Sequence, residues 1–258
     1  MLARKIDFAW RLAATGFAFI LFSAGGLVLT IISFPIGMFV GRNVQRQTAF
    51  HQKLIQLAFR VFLGFLRLSR VLELRFFNTK RLQSEQGTLV VANHPTLLDI
   101  VILVSILPKA QCVVKRGLLD NRFFGKIVRA AGYIPNYEDP EVLVQRCVAS
   151  LRDGNNLIIF PEGTRSDPGQ PIQFKRGFAH IATLAKSRIQ LVTITCSPIT
   201  LTSKSRWYEI PVSRAQFDIS VDKLVDSRDY LVGVERSIVV RRLTRDLERY
   251  FTGKLDHA

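Results

Sequence analysis

A chain of 258 residues that is 48% hydrophobic is long enough for one sizeable α/β core with an appendage, and too apolar to be disordered throughout. Its formal charge of +16 calls for an acidic counterpart: an anionic bilayer, an acidic protein or ligand, or nucleic acid. Cys112, Cys147 and Cys196 are scattered through apolar runs without paired spacing, which argues against a disulfide framework or a zinc motif and for reduced core thiols.

In chain order, residues 12–41 contain no charged side chain, and Arg4, Lys5 and Arg11 precede the run while Arg42 and Arg46 follow it. About 20 apolar residues suffice to span a bilayer, and a signal peptide is a poor match because its apolar part is shorter. Gly25-Gly26 near the middle and Pro35 in the second half weaken a single helix, and basic residues at both ends favour both ends on the cytoplasmic side. The expectation is a re-entrant or monotopic helical hairpin, with a single span as the alternative. Residues 50–72 form a second apolar segment in which Lys53, Arg60 and Arg67 recur at heptad spacing, with Arg70 beside them. Such a stripe suits a helix lying on anionic head groups; the other reading is an amphipathic helix packed on the domain. Residues 1–72 are accordingly expected to be membrane-associated, and 73–258 to be a catalytic domain.

Beyond residue 73, short β-branched runs alternate with helical patterns. Strands are predicted at 88–92, 111–115, 156–160 and 189–196, with helices at 97–106, 123–131, 139–152 and 178–187. Asp139-Pro140-Glu141 is a helix start signal: an N-cap, proline at the first position and acid in the first turn. Residues 206–212 and 216–221 read as a late hairpin-like pair, and 231–251 as a helix carrying Arg236, Arg241, Arg242, Arg245 and Arg249. The alternation predicts an α/β fold with a mixed, largely parallel sheet flanked by helices.

Two stretches carry chemistry. In Asn93-His94-Pro95-Thr96-Leu97-Leu98-Asp99, the histidine follows a predicted buried strand and the aspartate falls in the first turn of the next helix. A carboxylate there can turn back to one ring nitrogen and leave the other as a base; Thr96-x-x-Asp99 is equally a capping-box pattern that would explain Asp99 structurally. Phe160-Pro161-Glu162-Gly163-Thr164-Arg165 follows another predicted strand and places a carboxylate, a glycine, a hydroxyl and a guanidinium in one turn. Lys175 and Arg176 add cations before a helix, a setting that suits an anion.

These two blocks, in this order and about 60 residues apart, resemble the glycerolipid acyltransferase superfamily, specifically the 1-acylglycerol-3-phosphate (lysophosphatidate) acyltransferases. Lys115-Arg116-Gly117-Leu118 through Phe123-Phe124-Gly125 is similar to that family's second block, and the resemblance covers residues 74–221. Arg122 stands where the family often has proline, and Val192-Thr193-Ile194 replaces a valine-proline-valine-like element. The resemblance implies a glycerol-3-phosphate acyltransferase-like α/β fold with an N-terminal helical membrane anchor. It also implies His94 as general base, Asp99 as its orienting partner, and Glu162, Gly163, Thr164 and Arg165 as the acceptor-binding block, with Arg165 on phosphate. Lys115 and Arg116 would bind acceptor or donor. The implied donor substrate is acyl-CoA or acyl-carrier protein, the acceptor a lysolipid, the setting the cytoplasmic face of the cell (inner) membrane; no metal, cofactor or nucleic acid is implied.

Overall fold

The computed structural model describes every residue except 1, 40–42, 84–85, 137–138, 167–168, 234 and 257–258. In chain order the elements are α1 (Leu2–Phe39), α2 (Val44–Leu68), β1 (Leu72–Phe77), α3 (Lys80–Gln83), β2 (Leu89–Ala92), α4 (Asp99–Ile106), β3 (Ala110–Val114), α5 (Arg116–Leu119), α6 (Gly125–Ala130), β4 (Ile134–Pro135), α7 (Pro140–Arg152), β5 (Asn156–Ile159), α8 (Gly177–Ala185), β6 (Arg188–Ser197), β7 (Ala215–Asp226) and, after a 3-10 turn at Ser227–Tyr230, α9 (Arg236–Leu255). The strands form one seven-stranded sheet in the order β1-β7-β6-β2-β5-β3-β4, parallel throughout except for the antiparallel β6–β7 pair. This is the mixed, largely parallel sheet flanked by helices that the alternation predicts.

Strand β2 lies at the centre, and all four of its residues are fully buried. Its side chains alternate between two cores, as the two-residue period of a strand requires. Val90 and Ala92 face α1, α2, α4 and α6; Leu89 and Val91 face α7, α8 and α9. Helix α7 starts as its sequence dictates, with the Asp139 side chain accepting the N–H of Glu141 and proline in the first turn.

Three expectations need correction. First, α1 does not fold back at Gly25-Gly26: it is one continuous helix, with Pro35 inside it. Gly26 is there for closeness, because a Cβ at that position would stand 2.0 Å from the ring of Phe124. One turn on, Thr30 Oγ1 lies within hydrogen-bond distance of both Gly26 O and Phe123 O (2.8 and 2.9 Å). The hairpin is instead made of α1 against α2, which run antiparallel: Trp10 Nε1 donates to Ser69 O at 2.9 Å, Phe17 meets Phe65, and Phe22 meets Phe59 and Phe62.

Second, residues 206–212 are not a strand. The backbone carbonyls of Pro211, Val212 and Ser213 are taken by the guanidinium of Arg11 on α1, where a strand partner would otherwise sit. The 216–221 run belongs to the longer β7, which pairs with β6 on one side and β1 on the other. Third, the last helix begins at Arg236 rather than 231, because the chain first makes the 3-10 turn and then passes Gly233 at φ +68°.

Helix α2 contributes Ile55, Leu63 and Leu66 to the core beneath the sheet, and its Arg60 Nε donates to Ser105 O at 2.7 Å. Cys112 and Cys147 are buried free thiols whose ionisation burial suppresses, Cys147 being pushed up to about 12. Cys196 is only part-buried.

Candidate active site

Parallel strands deliver their C-terminal ends to one edge of a sheet, and the loops there can combine groups from several strands. The sheet order places the end of β5 beside the end of β2, and β3 one strand beyond. His94 leaves β2, Glu162 leaves β5 and Lys115 leaves β3, so all three start from the same edge.

The backbone at His94 is held from three directions. Before it, the buried Asn93 side chain accepts from Ile194 N (2.8 Å) and donates to Ile194 O (2.7 Å), extending the β2–β6 pairing by one rung. The His94 N–H donates to Glu162 Oε1 at 2.9 Å, and its carbonyl accepts from Ser166 N at 2.7 Å. The ring stacks on Phe160, with centroids 4.0 Å apart and planes 16° from parallel. Position and tilt of the imidazole are thus fixed before any substrate arrives.

Asp99 fixes which nitrogen is presented. Its Oδ2 lies 2.9 Å from His94 Nδ1, and the carboxylate also accepts from Thr96 N (2.7 Å) and Thr96 Oγ1 (2.5 Å). Thr96 is not the N-cap of a capping box, because α4 starts at Asp99 itself with Leu98 before it; the same carboxylate instead closes the Thr96–Asp99 turn ahead of α4 and anchors the imidazole. Asp99 is fully buried. Burial pushes its carboxyl above the usual range, and the hydrogen bond and charge of His94 pull it back. Burial likewise raises Glu162, opposed by the hydrogen bond from the His94 backbone.

Other residues singled out by sequence fall into two groups. Gly163 sits at φ +74°, and the Lys175 side chain lies across it, with Nζ 2.9 Å from where a Cβ would be; only glycine fits both conditions. Arg165 Nη1 donates to the carbonyls of Leu201 (3.0 Å) and Thr202 (2.7 Å), and so ties this block to the loop after β6. Thr164 is exposed. Lys115 and Arg116 stand exposed at the start of α5, apart from the His94–Asp99–Glu162 hydrogen bonds.

Asn93, Thr96 and Phe160 build the site as directly as the residues first assigned to it. Their signal was present: polar and aromatic residues abutting the ends of fully apolar strands. Among the described residues, no group of three or more His, Cys, Asp and Glu side chains could hold a metal ion.

The chain resembles known acyltransferases in sequence and in fold. An acyltransferase family profile matches residues 73–200. A chloroplastic 1-acyl-sn-glycerol-3-phosphate acyltransferase of Arabidopsis thaliana is 33% identical over 116 residues, covering 43% of this chain and 32% of the relative. A lyso-ornithine lipid O-acyltransferase of Rhodobacter capsulatus is 38% identical over 89 residues, covering 33% of this chain and 32% of the relative. The matched part is thus about a third of either relative. The crystal structure of a 1-acyl-sn-glycerophosphate acyltransferase, PlsC, from Thermotoga maritima superposes with a TM-score of 0.70, covering 96% of this chain and 97% of that one at 20% identity, which makes the fold common to both. Profile and relatives agree that residues 73–200 form an acyltransferase family domain, set in a fold shared with PlsC.

Proposed function

We propose that this protein is a membrane-surface O-acyltransferase that moves a fatty acyl group from an acyl thioester, on acyl-carrier protein or CoA, to the hydroxyl of a lysophospholipid such as 1-acylglycerol-3-phosphate. The observation that carries this is the buried Asp99 carboxylate 2.9 Å from His94 Nδ1, at the end of the central strand. With Nδ1 occupied, Nε2 is the nitrogen left for substrate. It takes the acceptor hydroxyl proton as the oxygen attacks the thioester carbonyl; the tetrahedral intermediate collapses with cleavage of the C–S bond, and the proton passes to the departing sulfur. Asp99 holds the tautomer and offsets the imidazolium charge. Glu162 acts on position, through the His94 backbone.

Lysine and arginine supply the anion contacts. Lys175 over Gly163, with the exposed Lys115 and Arg116, suits an acceptor phosphate or the phosphates of a donor. Arg165 spends Nη1 on two carbonyls, which leaves Nε and Nη2 for the phosphate contact. A second reading, an acceptor without a phosphomonoester, draws on this partial commitment of Arg165 and on the lyso-ornithine relative.

Attachment follows from α1. It is long and apolar enough to cross a membrane, yet its inner face is seated on α2 and the domain from Trp10 to Thr30. Ile6, Trp10, Phe17, Ile20, Leu27 and Ile31 recur at steps of three, four and seven residues and are all exposed. A helix sealed on one side by protein and apolar on the other lies along a bilayer surface, and we place that surface on the cytoplasmic side of the cell membrane, with anionic lipids facing the exposed Lys53 and Arg67 of α2.

The test is an acyl-transfer assay with purified full chain across a panel of lysolipid acceptors and both donor types, with His94→Ala alongside. Transfer to lysophosphatidate that vanishes in the variant is expected. Absence of transfer from either donor, or full activity of His94→Ala, overturns the proposal.

A further inference from the structure

The loop between β6 and β7 holds an apolar cluster that no catalytic role uses. Trp207, Tyr208 and Val212 are 48%, 43% and 81% exposed. Large apolar side chains grouped on a surface mark a contact, and Trp and Tyr beside a cation are the composition of a membrane interface. Arg206 supplies the cation: its Nη1 donates to Tyr208 Oη at 2.6 Å, with the guanidinium 5.9 Å from the ring centre.

The placement of the loop selects the partner. Trp207 packs on α1, 3.2 Å from where a Cβ on Gly16 would be and 6.1 Å from the Phe19 ring centre. Arg11, only 2% exposed and paired with Asp7, holds the carbonyls of Pro211, Val212 and Ser213. Across the exposed stripe of α1, Phe17 meets Phe65 of α2, whose own outward positions Leu57, Val61 and Leu68 are exposed. The stripe is therefore flanked by α2 on one side and by the loop on the other. The base of the loop reaches the site: Leu201 O accepts from Leu97 N, between His94 and Asp99, and from Arg165 Nη1.

We propose that the 199–213 loop is a second membrane-contact element, seating Trp207, Tyr208 and Val212 among lipid head groups. It fixes the height of the His94 edge above the bilayer through Leu201 and Arg165. The proposal rests on surface attachment through α1, and its continuity with that apolar face favours lipid over a protein partner.

The chain has two tryptophans, so Trp10→Phe leaves Trp207 as the reporter. The full chain is bound to phosphatidylcholine–phosphatidylglycerol vesicles carrying lipids brominated near the head group or near the chain end. Trp207 emission quenched more by the shallow label is expected, and Val212→Asp, whose side chain is exposed, should weaken vesicle affinity roughly tenfold. If the chain sediments with vesicles while Trp207 stays unquenched and Val212→Asp binds normally, the loop is not a lipid contact and attachment through α1 stands; a protein partner then becomes its occupant. If the chain does not sediment with vesicles at all, both fall.

Discussion

Helices α2 and α9 lie against opposite faces of one sheet, and both bear arginines, yet their outer surfaces differ. The outward positions of α2 include Leu57, Val61 and Leu68, and its Arg60 is turned to the domain to hold Ser105 O. The outward face of α9 carries Arg241, Arg245 and Arg249 over a buried row of Val240, Leu243, Leu247 and Phe251. The comparison teaches that an arginine count does not define a membrane helix. What separates the two is how many large apolar residues remain outside after the inner face is filled: Val44, Leu57, Val61 and Leu68 on α2 against Ile238 on α9. One face of the protein thus keeps a broad apolar outer surface and the other a basic one, with the His94 edge between them.

The largest expected effect falls on that edge. His94→Ala should lower kcat/KM by about a thousandfold or more while vesicle binding and circular dichroism stay as they are, separating chemistry from attachment. Next come the two faces. Ile20→Asp with Ile31→Asp should reduce vesicle partition about a hundredfold or more, whereas Arg245→Glu with Arg249→Glu should change it less than about threefold. Equal losses in a co-sedimentation assay would break the contrast between the faces. Arg11→Leu strands three carbonyls and the Asp7 partner, a loss of about 2 kcal/mol, which in a chain of this size lowers the melting temperature by about 6 °C. An unchanged melting curve would show that the loop is held on α1 by other means.

The smallest effect is a pH dependence of stability. Burial holds the Asp99 and Glu162 carboxyls above their ordinary values, so the folded chain binds those protons more tightly than the unfolded one. Their contribution is full below the unfolded carboxylate range and is lost as pH rises through the raised folded values. His94→Ala removes a group that lowers Asp99, so the loss should move to higher pH in denaturant titrations of the variant; a shift to lower pH contradicts the assigned cause.

Much of this was legible in the residues. Strands β2, β3, β5 and β6 are buried on both faces and read as short β-branched runs, and Asp139-Pro140 marks the start of α7 plainly. The His94–Asp99 contact was readable because both groups lie within one strand-to-helix turn. Three features were not. Gly25-Gly26 reads as a helix break because the Phe124 ring that fills the space comes from a distant segment. The 206–212 run reads as a strand because this exposed loop and a buried strand use the same apolar residues. The engagement of Arg165 by Leu201 and Thr202 was invisible, since those carbonyls reach it only after β6 has crossed the sheet. Local patterns name elements; long-range contacts decide what fills the gaps.

Asn93 has a consequence for motion. By reproducing a backbone rung with Ile194, its side chain makes the central strand effectively one residue longer than its ladder, and the imidazole begins where that rung ends. With the histidine's own N–H and carbonyl also engaged, the imidazole inherits the stiffness of the sheet rather than the looseness of a connecting segment. In the proposed transfer from a tethered thioester to a fluid lipid both substrates wander, and a sheet-anchored imidazole would be the stationary point on which they converge.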